Sequence, residues 1–126
     1  PQWTGGGVVF APKPRDYSVK MNKKEKALAI KSALTSRVAE EKIYVVDSLS
    51  FDEIKTKKMA AVLDSLKVEK ALVVLDKKDE NVILSARNLP EVRTVMSNSI
   101  NVYDILKYGS LVITKEAVAQ IEEVYA

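Results

Sequence analysis

The hydrophobic pattern beyond about residue 40 predicts four short strands. Their apolar or β-branched runs are residues 43–46, 71–75, 93–96 and 111–113. The first two runs are continuously apolar rather than alternating, which is typical of strands buried on both faces, as in a parallel sheet. We therefore expect the sheet to be covered by helices on both sides.

Between these runs the apolar residues recur at helical spacing. The predicted helices cover about 22–41, 54–66, 81–88 (short), 102–107 and 115–125. Asn22 and Thr114 are placed to cap the first and the last of them, and Gly109 suits the C-terminus of the fourth. The alternation of strands and helices predicts an α/β fold, a mostly parallel four-stranded sheet flanked by helices with right-handed crossovers.

The first twenty residues have a different character and predict an extended N-terminal arm. Three consecutive glycines, Gly5, Gly6 and Gly7, oppose a helix, and Pro12 and Pro14 hold the backbone extended. The predicted organisation is an arm at residues 1–20 and a single α/β domain at residues 21–126.

Positive charge is concentrated in the arm and in the first turns of the helix predicted to follow it. Residues 1–31 hold seven basic and two acidic residues, so they carry a net charge of +5 in a chain whose total net charge is +3. The arm also contains Trp3, Phe10 and Tyr17, set between glycines, prolines and cations. Lysines can neutralise phosphates and exposed rings can stack on bases, so the combination suggests RNA binding. The alternative is that the three rings form a cluster folded onto the body.

The body offers no catalytic chemistry. The chain has no cysteine and no histidine, which excludes Cys/His zinc sites, thiol nucleophiles and the commonest general base. Beyond the arm the only glycine is Gly109, so neither the dinucleotide-binding nor the P-loop glycine motif is present there. This opposes the alternative in which the chain is a small α/β nucleotide-binding enzyme. Asp47 and Asp76 follow strands and could serve a metal or an acid, but capping or solvating a turn explains them better. We expect no enzyme, no cofactor and no metal.

No apolar run approaches the ~20 residues of a membrane span, so we expect a soluble, intracellular protein that does not engage membranes. The remaining basic sites are ambiguous. Lys55, Lys57 and Lys58 can contact phosphates or form a solvated helical face, and Arg87 and Asn88 can contact RNA or a neighbouring protein, or cap a helix. The same choice, between an external anion and a solvated helix end, applies to the lysines at 23, 24 and 26. The rings Tyr44, Phe51, Tyr103, Tyr108 and Tyr125 are expected in the core.

The arm and several body segments strongly resemble one family, bacterial large-subunit ribosomal protein four. The arm resembles the segment that closes the family's long loop. The matching stretches are PQWTGGGVVFAPKPRDY at 1–17, AIKSAL at 29–34, KTK at 55–57, LSARNLP at 84–90, NVYD at 101–104 and LVIT at 111–114. Together they cover nearly the whole chain, which makes the combination specific although each piece is short.

The resemblance implies a parallel α/β sheet with a long loop that penetrates 23S-type rRNA near the nascent-peptide exit tunnel. It implies a structural, cytoplasmic ribosomal protein that supports subunit assembly, contacts neighbouring ribosomal proteins and is not expected to homo-oligomerise. Some members also bind their own messenger RNA and repress their operon. Taken together, the RNA-binding residues predicted from the resemblance and from the basic sites are Gln2, Trp3, Gly5, Gly6, Gly7, Phe10, Pro12, Lys13, Pro14, Arg15, Tyr17, Lys20, Lys23, Lys24, Lys31, Lys55, Lys57, Lys58, Arg87 and Asn88.

Two positions depart from the family pattern. Thr4 stands where the family often has arginine, which removes one phosphate contact, and Ala11 replaces a frequent glycine. The family's N-terminal strand, helix and Arg-rich loop are expected to precede Pro1. On this interpretation the chain is a C-terminal portion that begins partway along the loop.

Overall fold

A computed structural model describes residues 2–125, so the predictions that concern Pro1 and Ala126 lie outside the described residues. The elements are helix α1 (Lys23–Ala39), strand β1 (Ile43–Val46), α2 (Thr56–Ser65), β2 (Ala71–Leu75), α3 (Glu80–Arg87), β3 (Val92–Met96), α4 (Val102–Lys107), β4 (Ser110–Thr114) and α5 (Lys115–Tyr125). The predicted α/β alternation is confirmed, with boundaries shifted by two residues at most.

The four strands form one parallel sheet in the order β1-β4-β2-β3. The two inner strands, β2 and β4, are buried along nearly their whole length, whereas β1 and β3 at the edges are partly exposed. The continuous apolar run at 71–75 predicts this burial correctly, because an inner strand of a parallel sheet is covered on both faces. The same prediction is wrong for the run at 43–46, since β1 is an edge strand and Val45 is exposed.

The connections explain which helix covers which face. From β1 to β2 and from β2 to β3 the chain crosses the sheet in one direction, through α2 and α3, and from β3 to β4 it returns through α4. Right-handed crossovers in opposite directions must lie on opposite faces. Accordingly, α2 and α3 pack on one face, and α1, α4 and α5 pack on the other.

Each face of the sheet has its own hydrophobic core. On the α1/α4/α5 face, Leu72 and Leu111 meet Ile105 and Ala117, all of them at most 1% exposed. On the α2/α3 face, Val73 and Val112 meet side chains that include Met59 and Val82. Alternate residues of β2 and β4 thus serve opposite cores, which is why both strands are apolar at 71–75 and 111–113 and polar residues of β4 stand only at its two ends.

The helix ends are partly as predicted. The Thr114 hydroxyl accepts a hydrogen bond from the Ala117 N–H at 3.3 Å, which confirms its capping role. Gly109, with φ +65°, follows the end of α4 in the left-handed conformation expected of a C-terminal glycine. Asn22 occupies the N-cap position of α1, but its side chain makes no capping hydrogen bond, so that part of the prediction is wrong.

Two buried charged side chains hold α4 in place. Arg37 of α1 donates from Nε to the Ile105 carbonyl at 3.2 Å and from Nη2 to the Leu106 carbonyl at 2.9 Å. Asp104 is fully buried and accepts from Arg93 Nη1 at 3.0 Å and from Asn101 Nδ2 at 2.9 Å. These bonds satisfy polar groups that a six-residue helix would otherwise leave unpaired against the sheet.

Replacing Asp79 with alanine should lower the free energy of unfolding by about 1 kcal/mol. Its Oδ1 accepts the Asn81 N–H at 3.1 Å and the Val82 N–H at 3.4 Å, so it satisfies two donors at the start of α3. Urea denaturation followed by circular dichroism measures the change. Asp64→Ala, an exposed position within α2, is the matched control and should change stability by less than about 0.5 kcal/mol. Equal losses in the two variants would contradict the capping role.

Candidate nucleic-acid interface

The arm is exposed along its whole described length, from Gln2 through the first turn of α1. Its three rings show this most clearly, since Trp3 is 85%, Phe10 88% and Tyr17 75% exposed. The alternative in which these rings fold onto the body is therefore not the arrangement in the structure. Large exposed rings are costly in water unless they serve contacts with another molecule.

Local contacts shape the arm without anchoring it. The Gly6 N–H donates to the Trp3 carbonyl at 2.9 Å, closing a turn in which Gly5 takes φ +73°. Further along, the Arg15 guanidinium lies 3.9 Å from the centroid of the Tyr17 ring. Such a pair leaves the cation free for phosphate while holding the ring beside it.

Asp16 interrupts the positive charge of the arm. Hydrogen bonds from the side chain and backbone of Ser18, the latter at 2.8 Å, hold the pKa of Asp16 below its ordinary value. The carboxylate is therefore ionised at neutral pH, and it accepts hydrogen bonds from the arm itself, at Ser18. The basic groups around it, Lys13, Arg15 and Lys20, are all exposed.

The basic residues continue onto α1. Lys23 and Lys24 lie in its first turn and Lys31 lies near its middle, and all three are exposed. Cations are disfavoured at a helix N-terminus, and the Asn22 side chain makes no capping bond there. Both the anion contact and the solvated end remain open predictions for these lysines.

The second group of predicted residues lies on α2 and α3. The Lys55 N–H donates to Ser85 Oγ at 3.1 Å, so the KTK and LSARNLP segments, distant in sequence, are in contact. Lys55 Nζ is paired with Glu53 at 2.7 Å, whereas Lys57 and Lys58 are exposed in the first turn of α2. Asn88 is the C-cap of α3, the role that sequence reasoning favoured for it, and Arg87 is exposed beside it.

The structure does not join these groups into one surface. α1 packs on one face of the sheet, and α2 and α3 pack on the other. The arm and α1 lysines therefore form one set, and Lys55, Lys57, Lys58, Arg87 and Asn88 form a second set that the sheet separates from it. A single flat contact with RNA cannot include both.

The two aspartates that follow strands, Asp47 and Asp76, differ in their surroundings. Asp47 is exposed, and Asp76 accepts a hydrogen bond from the Thr114 hydroxyl at 3.4 Å. Burial opposes ionisation of Asp76, but hydrogen bonding with the Glu116 side chain, with its own backbone and with Thr114, together with the nearby Lys77, holds its pKa below the ordinary value. Among residues 2–125, no three acidic residues are grouped closely enough to hold a metal ion.

Among the scattered rings, four pack against the two cores as expected: Tyr44, Phe51, Tyr108 and Tyr125. The prediction is wrong for Tyr103, which is 68% exposed. In the short helix α4 it lies on the face opposite the buried Ile105, a distinction that the mixed apolar pattern around it conceals. The helices within residues 2–125 do not include one with the length and apolarity needed to cross a membrane.

The comparisons with known proteins agree on one family. The profile described as ribosomal protein L4/L1 family matches residues 1–124. The chain is 79% identical over 126 residues to large ribosomal subunit protein uL4 of Lachnoclostridium phytofermentans and 68% identical to that of Agathobacter rectalis, with all of the chain covered in both. It is 53% identical to uL4 of Thermoanaerobacter pseudethanolicus.

The chain spans 61% of the length of these relatives. They are named as ribosomal proteins and not as enzymes, in line with the prediction from the missing catalytic residues. The resemblance seen in the arm and in the short body motifs is thereby confirmed along the whole alignment. The chain belongs to the ribosomal protein L4/L1 family.

Proposed function

We propose that this chain is a structural component of the large ribosomal subunit that binds 23S-type rRNA through its arm. The exposure of Trp3, Phe10 and Tyr17 beside basic side chains is the observation that carries the proposal. Family membership supports it, because the relatives are named large ribosomal subunit proteins. As a ribosomal component the protein works in the cytoplasm.

The chemistry of binding follows from the arm's composition. Lys13, Arg15 and Lys20 neutralise phosphates, which gives affinity and a strong dependence on salt but little sequence preference. The rings stack on unpaired bases or fill gaps between RNA segments. The glycine and proline residues keep the arm narrow and extended, so it can pass between RNA helices that would exclude a folded domain.

The body fixes the position of the arm's C-terminal end. α1 continues directly from the arm and is held to α4 through Arg37, so the domain sets the direction in which the arm leaves it. Through this arrangement the protein supports subunit assembly near the exit tunnel and contacts neighbouring ribosomal proteins. Binding to its own messenger RNA would use the same phosphate and stacking chemistry.

Deleting residues 1–20 tests the proposal. The deletion should abolish incorporation into large subunits, measured by sedimentation of tagged protein with ribosomal particles. The far-ultraviolet circular dichroism of the body should change little, because residues 2–20 are exposed and none of them belongs to either core.

A control variant separates charge from shape. It replaces residues 1–20 by a glycine/serine segment of equal length that keeps lysine or arginine at positions 13, 15 and 20. We expect this variant to retain weak, salt-sensitive binding to rRNA but not stable incorporation. Normal incorporation of the deletion variant would overturn the proposed role of the arm.

A further inference from the structure

Four lysines that sequence reasoning did not single out converge at the amino end of the sheet. Lys42 precedes β1, Lys67 and Lys70 precede β2, and Lys107 precedes β4 by a short turn. All four are exposed. They come from three separate segments of the chain, and the parallel topology brings these segments together because all strands of a parallel sheet begin at the same edge. We call them the amino-edge lysines.

The strand register fixes their spacing. Ile43 is paired with Leu111 and Ala71 with Ser110, so Lys42 and Lys70 immediately precede the two strands that flank β4. The Leu111 N–H also donates to the Lys42 carbonyl at 2.9 Å. Neighbouring strands are about 4.8 Å apart, so the backbones of Lys42 and Lys70 lie about 10 Å from each other.

The side chains line two adjoining grooves. One, of about 350 Å³, is lined by all four lysines together with Tyr44, Gly109 and Ser110, among others. The other, of about 340 Å³, shares Lys70, Lys107 and Tyr108 with it and continues to Pro90. Together they form a continuous depression along the amino edge rather than isolated surface charges.

The side chains that line the depression carry a net positive charge. Its charged lining consists of the four lysines and two glutamates, Glu69 and Glu91. Within the described part of the chain, none of the four ammonium groups lies within 4.0 Å of a carboxylate; the lysines that do form ion pairs there are Lys55 and Lys78. The charge of the groove is therefore available to a ligand.

Helix dipoles explain only part of this placement. α1, α2 and α4 all end at the amino edge, and a cation in or just beyond a last turn gains about 0.3–1 kcal/mol. That accounts for Lys107 and Lys67. It does not account for Lys70, which lies five residues beyond the end of α2, next to the strand.

We propose that the amino-edge groove binds the phosphate backbone of a double-helical rRNA segment, at a point separate from the arm. The proposal rests on the proposed function. α1 has 17 residues and is about 25 Å long, with the arm at its N-terminus and Lys42 just beyond its C-terminus. The protein would then hold two rRNA segments at opposite ends of one helix.

The lining residues favour paired RNA over single strands. Arginine, asparagine and glutamine, whose planar groups make paired hydrogen bonds to base edges, are not among the residues that line either groove. Tyr44 and Tyr108 pack against the cores, so neither ring is free to stack on an unpaired base. The exposed ring of Tyr103 lies with its centroid 5.6 Å from Lys107 Nζ, but it lines neither groove. The grooves themselves present lysines and no free stacking ring, which suits backbone phosphate, the group through which double-stranded RNA is mostly bound.

The test replaces three of the lysines in the full chain: Lys42→Gln, Lys70→Gln and Lys107→Gln. Lys67 is kept because its φ of +57° makes any change there a change to the turn as well. The matched control is Lys77→Gln, Lys78→Gln and Lys115→Gln, three exposed lysines at the carboxyl end of the sheet. Both variants lose the same charge.

Binding to 23S-type rRNA is measured over a range of salt concentrations. We expect the amino-edge variant to bind about tenfold or more weakly, and the slope of log K against log salt to fall by about 2–3, which is about one unit per lost phosphate contact. In the control variant, the affinity for rRNA and the slope of log K against log salt should both change much less. Identical behaviour of the two variants would overturn the inference while leaving the arm's role intact.

A second measurement needs no substitution. Acetylation of lysines with a water-soluble reagent, read by mass spectrometry, should be suppressed at Lys42, Lys67, Lys70 and Lys107 when rRNA is bound, but not at Lys77 and Lys78. Unchanged reactivity at the amino edge would overturn the inference, as would crosslinks from these lysines to protein instead of RNA in assembled subunits. Failure of the unsubstituted chain to bind rRNA at all would overturn the proposed function as well.

Discussion

Replacing Trp3, Phe10 and Tyr17 together with alanine is expected to weaken binding to 23S-type rRNA by at least about 100-fold. Stacking on an aromatic side chain is worth about 1–3 kcal/mol per base, so three rings contribute about 3 kcal/mol or more. The rings are 75–88% exposed, and neither core includes them. The loss should therefore appear in affinity and not in thermal stability.

The measurement is a filter-binding or fluorescence titration at fixed salt, paired with thermal unfolding of the free protein. Val38→Ala combined with Val124→Ala removes exposed apolar side chains from the body, 61% and 70% exposed, and is the control for nonspecific surface effects. It should leave the affinity unchanged. A triple variant of the arm that binds as tightly as the control would show that charge alone holds the arm to RNA.

The second large effect is on stability. Arg37→Met should lower the free energy of unfolding by about 3–6 kcal/mol, because a hydrogen bond from a charged donor is worth about 1.5–3 kcal/mol and two such bonds to carbonyls are lost. The variant keeps an unbranched apolar stem but removes the guanidinium, so the carbonyls of Ile105 and Leu106 lose their donor. The total stability of such domains is about 5–15 kcal/mol, so the change is a large fraction of it.

Two further variants identify which contact of Arg37 matters. Glu40→Gln removes the charge partner, which lies 2.7 Å from Nη1 with a side chain 45% exposed, and should cost less than about 1 kcal/mol. Arg87→Met makes the same chemical change on the exposed surface of α3 and should be nearly neutral. Equal losses for Arg37→Met and Glu40→Gln in urea unfolding would assign the stability to the ion pair instead of the carbonyl bonds.

The helices and strands were predictable because the hydrophobic pattern is consistent with one fold throughout. Continuous apolar runs at 71–75 and 111–113 correspond to the two inner strands, and a region of helical spacing follows each strand. The run at 43–46 is equally apolar but forms an edge strand, so apolarity alone does not tell inner strands from edge strands. The strand order β1-β4-β2-β3 could not be obtained in this way, since it depends on the direction in which each crossover travels. No local sequence signal records that direction.

Side-chain contacts between distant segments were the least predictable. Arg37 is an unremarkable arginine on a polar helix until α4 is placed beside it, and the amino-edge lysines look like ordinary surface charge until the strands are aligned. The role proposed for the arm differs in this respect, because it is argued from composition and exposure, which need no tertiary partner.

The predicted RNA-binding residues are all exposed, but they do not form one surface. The sequence left open how the basic site at Lys55, Lys57 and Lys58 is placed relative to the arm and α1. In the fold the sheet stands between α1 and α2, so the lysines of this site and those of α1 lie on opposite faces. Only the connection rules of parallel sheets could have revealed that separation beforehand.

The position of β4 has a consequence for how the domain is made. Within the described sheet, β1 pairs with β4 alone. β4 also pairs with β2, on the side of β2 that faces away from β3. Because a chain is synthesised from its N-terminus, β1 and β2 emerge long before the strand that joins them. The sheet therefore cannot close until residues 110–114 have been made, and contacts of such long sequence separation form slowly. A basic, aromatic arm is exposed during that interval, so early capture by RNA would protect the chain while its last strand is still missing.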